Sequence, residues 1–105
     1  MTTERRAAPR YSLILAAEIH VEASNTKAAA RSSDISSTGC YLDTLNPLPT
    51  GTSLILRLTQ SGEHFITHAR VVYAIPGMGM GVAFVHVPAP QQAVLERWLA
   101  AAAVA

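Results

Sequence analysis

Two short constellations in this sequence could do chemistry. The first is Arg6-Ala7-Ala8-Pro9-Arg10, an RxxxR with Arg5 immediately before it. The second is Asp34-Ile35-Ser36-Ser37-Thr38-Gly39, a DxSxxG. An arginine presents a planar fork that pairs bidentately with O6 and N7 of guanine or with phosphate oxygens, and it also stacks on a base. An aspartate carboxylate only accepts, so Asp34 suits the N–H donors on the other edge of guanine. The Ser36 hydroxyl can bond a phosphate oxygen or hold the turn. Gly39 permits positive φ and close approach of a backbone. Together these residues suit a ligand that carries guanine bases and phosphates. Taken singly, each motif is as well explained by solvated charge or by turn chemistry, because Asp and Ser are common turn residues.

The elements that must hold these groups follow from periodicity. Tyr11, Leu13, Leu15, Ala17, Ile19 and Val21 alternate with mostly polar residues and predict one strand. Residues 27–33 predict a weaker strand, 34–39 a polar turn, and 40–44 a short strand. Leu54, Leu56 and Leu58 mark a half-buried strand. Phe65, Thr67, Ala69, Val71 and Tyr73 mark the inner face of the next, and about 81–87 forms the last. After Pro88 the spacing becomes helical, with Val94, Leu95, Trp98 and Leu99 on one side and Pro90 at an early helix position. The alanines from 100 onward have little to pack, so this end is expected to fray. Six short strands, tight turns and one terminal helix predict a mainly β protein, a small antiparallel barrel or sandwich, with Trp98 and Leu99 laying the helix over its apolar opening.

Bulk properties narrow the field. A chain of 105 residues, half of them apolar and 14% charged, is expected to be one globular domain. The net charge is +1, and three of the arginines fall within the first ten residues. That predicts a flexible cationic arm over 1–10 attached to a nearly neutral body over 11–105. Cys40 is the sole cysteine, so an internal disulfide and a multi-cysteine zinc site are excluded. The apolar run 13–17 is too short for a signal peptide and is interrupted by Glu18 and His20. No stretch approaches the ~20 apolar residues of a membrane span. The expectation is a soluble, cytoplasmic protein without membrane insertion.

Other features carry less. His64 and His68 lie about 13 Å apart if the segment is a strand, too far for one metal ion. Gly77, Gly79 and Gly81 match neither GxGxxG nor a P-loop and read as a hairpin turn. Cys40 reads as a small strand residue rather than a nucleophile, since no histidine is placed beside it. Asp34 and Asp43 have nothing that fixes their separation as a carboxylate pair. Met78 and Met80 read as turn and packing residues.

The order of the two motifs within this strand layout resembles the PilZ family, the bacterial receptors for cyclic di-GMP. In that family an RxxxR precedes the first barrel strand and a (D/N)xSxxG follows roughly two strands later. Leu48-Pro49-Thr50-Gly51-Thr52 resembles the family's mid-domain loop. Arg70-Val71-Val72-Tyr73 and Gly79 to Val85 resemble its last hairpin, and the likeness covers about residues 4–100. The resemblance implies a six-stranded barrel with a C-terminal helix. It implies that Arg6 and Arg10 grip guanine and phosphate while Asp34, Ser36 and Gly39 form the other wall. Many family members carry Trp where this chain has Tyr73, which reads instead as a core or cross-strand contact. Arg5 adds a third cation, from which two stacked ligands per chain are expected.

The expected role is a cyclic di-GMP receptor that orders its arm on binding and signals to an effector protein, with no cofactor, no metal and no catalysis. A protein-interaction adaptor that binds no nucleotide is the alternative. A barrel for single-stranded nucleic acid fits poorly, because such proteins use several stacking aromatics and a basic groove. An enzyme fits worst, since no acid–base or nucleophile constellation is visible.

Overall fold

Apolar alternation is what organises this chain, and the computed structural model, which describes residues 8–104, shows where it holds and where it breaks. The strands are β1 (Tyr11–Ser12), β2 (Ala16–Val21), β3 (Thr26–Ile35), β4 (Gly39–Asp43), β5 (Ser53–Gln60), β6 (Glu63–Ile75) and β7 (Gly79–Val85), followed by helix α1 (Ala89–Ala103). Every pairing is antiparallel, in the order β1-β3-β2-β5-β6-β7-β4. The further β3–β4 pairing closes strands β2 to β7 into a six-stranded barrel. Closure gives each of those strands a neighbour on both sides. β1 is a short addition beside the end of β3.

The inner face is the alternating one. Leu54, Leu56 and Leu58 of β5 and Phe65, Thr67, Ala69 and Val71 of β6 are all buried. They meet Leu15, Ala17, Ile19 and Val21 in one core cluster, closed at one mouth by the helix. Leu95 and Trp98 are the buried residues of α1, and Leu99 is partly buried beside them. Phe65 packs edge-on against Trp98, with ring centroids 6.3 Å apart. The Trp98 indole N–H donates to Glu63 Oε1 at 2.8 Å, and Arg97 pairs with the same carboxylate, so the buried ring loses no polar partner. Burying a side chain such as Leu95 is worth about 1.5–3 kcal/mol. The helix therefore gains its place from packing, its N-cap Pro88 offering no side-chain bond.

The structure corrects three expectations. Residues 11–21 are two strands and not one. At the break the Ser32 hydroxyl donates to Leu13 O at 2.6 Å and accepts from Leu15 N–H at 3.0 Å, replacing ladder bonds with side-chain bonds. Asp34 lies within β3 rather than in a turn. Tyr73 does not continue the inner face, being 45% exposed. Val71 pairs with Val82 and Tyr73 with Gly81, so Val72 is an extra residue, and the shift of register it causes reverses the alternation.

Candidate functional site

The first motif enters the described structure at its end. Arg10 immediately precedes β1, whose Ser12 is paired with Asp34. Arg10 therefore reaches Asp34 across the strand pair, and its Nε and Nη2 donate to Asp34 Oδ1 at 3.1 and 2.7 Å. Both side chains remain accessible, 46% and 34% exposed. The Arg10 pKa is raised, first by this hydrogen bond to Asp34; burial opposes the rise and the negative charge of Asp34 adds to it. Arg5 and Arg6 lie outside the described residues.

Asp34 faces outward because of a second irregularity. The β3–β4 register shifts between Ser32 and Asp34, so Ser33 is the extra residue. Ser32 points into the barrel and is fully buried, and a regular strand without the bulge would carry Asp34, two residues on, inward as well.

Ser36 and Gly39 build the turn that follows. Ser36 N–H donates to Gly39 O at 2.8 Å, and the Ser36 hydroxyl oxygen accepts from the backbone N–H of Thr38 and Gly39 at 3.2 and 3.3 Å. Ser36 is buried, and its hydroxyl is engaged in holding the turn. Gly39 needs no positive φ, which among the described glycines is found at Gly51, Gly62 and Gly77. It is needed for close approach, since a Cβ there would lie 2.2 Å from Val82 O on the neighbouring strand. The turn is tied to β7 as well, by Phe84 N–H donating to Thr38 O at 2.9 Å.

Two tyrosines complete this patch. Tyr41 on β4 is the cross-strand partner of Asp34, and its ring centroid lies 6.1 Å from that of Tyr73. The Tyr41 pKa is raised, by burial first and then by Tyr73 and the carboxylates of Asp43 and Asp34. Sequence reasoning passed over Tyr41; of the two alternatives it left for Tyr73, a core or a cross-strand contact, the structure shows the second. The available signal was Gly39, from which alternation places Tyr41 on the face shared with the second motif. Beneath the patch, Cys40 is buried and its thiol is pushed up to about 12, chiefly by loss of solvent.

A groove of about 640 Å³ lies elsewhere on the barrel wall, lined among others by Glu18, His20, Lys27, Ile55 and Arg57. Arg57 and Glu18 are ion-paired there. None of the described motif residues lines it.

Comparison with known proteins decides what scaffold this is. The PilZ domain matches the sequence over residues 4–101. The chain belongs to the PilZ domain family. No curated protein shows significant sequence similarity to it. Among solved structures, this PilZ domain is similar to the PilZ domain with c-di-GMP of YcgR from Escherichia coli, at 17% identity and TM-score 0.78, over 94% of this chain and 92% of that one. It is also similar to the inhibitor of motility MotI/DgrA of Bacillus subtilis, at 21% identity and TM-score 0.72. That match covers 91% of this chain but 49% of the inhibitor, so this PilZ domain spans about half of that protein. The PilZ domain of CeSA from a cellulose-synthesizing bacterium is a third, at 19% identity and TM-score 0.68, over 87% and 94% of the two chains. These likenesses establish the barrel with its C-terminal helix. Among the described residues no helix is long and apolar enough to cross a membrane.

Proposed function

We propose that this PilZ domain is a cytoplasmic receptor for cyclic di-GMP that passes the signal to an effector protein. The observation that carries the reading is the bond between Arg10 and Asp34, which joins the RxxxR and DxSxxG segments on one exposed wall of the barrel. Arg6 and Arg10 grip guanine and phosphate, and Arg5 contributes further positive charge. Asp34 takes the base N–H edge. Ser36 and Gly39 hold the turn that positions it. On binding, the arm over 1–10 is tied to the wall, and the effector reads the surface so formed. The ligand is held by recognition and electrostatics, and no bond is made or broken. The YcgR neighbour is described with c-di-GMP bound, which supports this ligand for the same fold. With MotI/DgrA and the CeSA domain as further neighbours, motility and polysaccharide synthesis are the outputs to assay first.

Titration calorimetry tests the reading. We expect cyclic di-GMP to bind with Kd of about micromolar or tighter, near −8 kcal/mol. GMP and linear diguanylate should bind far more weakly, because neither presents two guanines on a closed, preorganised ring. Absence of heat and of competition at high ligand concentration would sink it.

One observation favours a second reading, an adaptor that binds protein and no nucleotide. Leu45, Val72, Tyr73, Ile75 and Met78 are exposed on β6 and on two loops joined by the bond from Thr44 N–H to Met78 O. Grouped apolar exposure of this kind marks contact surfaces.

A further inference from the structure

β3 outruns the strand that completes the barrel. β2 pairs with it from Thr26 to Arg31, whereas β4 pairs with it only from Arg31 to Ile35. Beyond Asp43 the chain leaves β3 for the β6–β7 turn, where Thr44 N–H donates to Met78 O. Residues 26–30 therefore overhang the closure. Among the described residues no strand pairs with their second side.

One bond shows which backbone groups face that open side. Ser32 N–H donates to Leu15 O, on the β2 side. Hydrogen-bonding direction alternates along a strand, so Ala30, Ala28 and Thr26 also point toward β2. Lys27 and Ala29 point the other way, each with one N–H and one C=O to offer. Thr26 to Ala29 are all exposed. On β6 a comparable backbone donor, Ile66 N–H, is capped by the Gln91 side chain at 2.8 Å. Among the described residues no side chain does the same for Lys27 or Ala29.

The side chains of the overhang suit a partner of defined charge. Ala28, Ala29 and Ala30 leave room for close approach. Lys27 forms no ion pair among the described residues. Cross-strand pairing sets Ala29, Glu18, Arg57 and Ile66 in one row of the outer wall, and Lys27, His20, Ile55 and His68 in the next. Glu18 pairs with Arg57 on one flank and has only Ala29 on the other, and its side chain is 66% exposed.

We propose that residues 26–30 are a dimerisation edge, paired antiparallel with the same edge of a second copy of this chain. A two-fold contact requires each residue to meet its complement twice. Pairing centred on Ala28 sets Lys27 of each copy opposite Ala29 of the other, and these are the residues whose backbone groups are open. About four hydrogen bonds form. The outer row then runs Arg57, Glu18 and Ala29 of one copy into Lys27, His20 and Ile55 of the other. Glu18 and the second copy's Lys27 stand two strand spacings apart, about 10 Å, which their side chains span across the small Ala29. A lysine on an edge ordinarily discourages pairing. Here the register sets it beside an alanine and within reach of a carboxylate, and both complementary charges belong to this chain. That favours a second copy over an unrelated strand. The edge lies away from Asp34, so pairing leaves the Arg10–Asp34 wall uncovered, and the proposal stands apart from the receptor reading.

Analytical ultracentrifugation over a range of protein concentration, with amide hydrogen exchange followed by NMR, tests it. So short an edge lies at the low end of interface sizes, and a dimer half-formed at about 100 µM is expected. Exchange at the Lys27 and Ala29 amides should slow as the dimer forms. Ala29→Pro removes an outward N–H while sparing the β2 ladder, and should weaken association at least about tenfold. Lys27→Glu sets like charges together and should weaken it about as much at low salt; it keeps the test decisive if the proline disturbs folding. Lys27→Arg should stay within about threefold of the parent, since it keeps the charge. A parent that is still monomeric at about 1 mM overturns the proposal. So does a dimer that survives both Ala29→Pro and Lys27→Glu, or one whose Lys27 and Ala29 amides exchange as fast as in the monomer, because the contact then lies on another face. Tighter association of Lys27→Glu also overturns it, by making Lys27 a guard of the edge.

Discussion

Arg10 places both of its bonds on one oxygen of Asp34, at 3.1 and 2.7 Å, although the residues are 24 apart in sequence. The partner of Arg10 is thus fixed, and among the described residues no donor bonds Oδ2 of Asp34. Since both side chains are substantially solvated, the pair contributes only ~0.2–1 kcal/mol to folding. Its consequence is positional: it holds the end of the RxxxR segment against the strand that carries the second motif.

Arg10→Ala and Asp34→Ala should therefore separate binding from stability. We expect each to weaken cyclic di-GMP binding, Asp34→Ala by about 1–3 kcal/mol for a lost base-edge pair. Arg6→Ala should weaken it comparably. Urea denaturation should move little for any of the three. Arg57→Ala is the control, because Arg57 pairs with Glu18 on a different part of the wall. A loss at Arg57 as large as that at Arg10 would place the site elsewhere.

Ser36 and Gly39 should behave in the opposite way. Ser36→Ala removes the acceptor for two backbone N–H groups inside a buried turn, a cost of about 1–3 kcal/mol. Gly39→Ala drives a Cβ against Val82 O and costs a similar ~1–3 kcal/mol of overpacking strain. Both should lower the midpoint of chemical denaturation. Stability unchanged in Ser36→Ala, with binding lost, would transfer Ser36 from the turn to the ligand.

How far these assignments were legible beforehand depends on alternation. Leu54, Leu56 and Leu58 keep a strict period of two, and all three are buried as the pattern requires. Val94, Leu95, Trp98 and Leu99 likewise marked the helix and its packed side. What periodicity does not reveal is a single inserted residue. Ser33 and Val72 each occupy a bulge, and a bulge depends on the partner strand's register, which local sequence does not contain. The outward turns of Asp34 and Tyr73, and so the patch they share, were invisible for that reason. The break between β1 and β2 was hidden similarly, because it depends on Ser32, far along the chain.

The buried Cys40 thiol gives a pH dependence of defined sign. Its ordinary value is 9.0, and burial pushes it up to about 12. Between those values the unfolded chain has lost the proton while the folded chain retains it, so unfolding releases a proton. Stability contributed at Cys40 is thus complete below pH 9.0 and falls as pH rises toward about 12. The slope approaches about 1.4 kcal/mol per pH unit in that window. Denaturation of the parent and of Cys40→Ala on either side of pH 9.0 isolates it. The two slopes should differ above pH 9.0 and agree below it; parallel curves throughout would contradict the assignment.

Ligand stoichiometry turns on Arg5, which precedes Arg6 and Arg10 in the arm. We expect two cyclic di-GMP molecules per chain, held as a stacked pair. Two intercalated ligands bring twice the phosphate charge of one into a small volume, and that repulsion must be offset by nearby cations. The described body offers Arg10, already engaged with Asp34. Arg5 supplies a further charge that can also stack on, or fork to, an outer guanine. A leucine at position 5 can do neither. Arg5→Leu should therefore lower the calorimetric ratio from two ligands to one while binding itself persists. The parent's affinity should also fall more steeply with added salt than that of the variant, since exposed charges are screened. A parent that binds one ligand, or a variant that still binds two, would remove Arg5 from this role and leave Arg6, Arg10 and Asp34 as a single-ligand site.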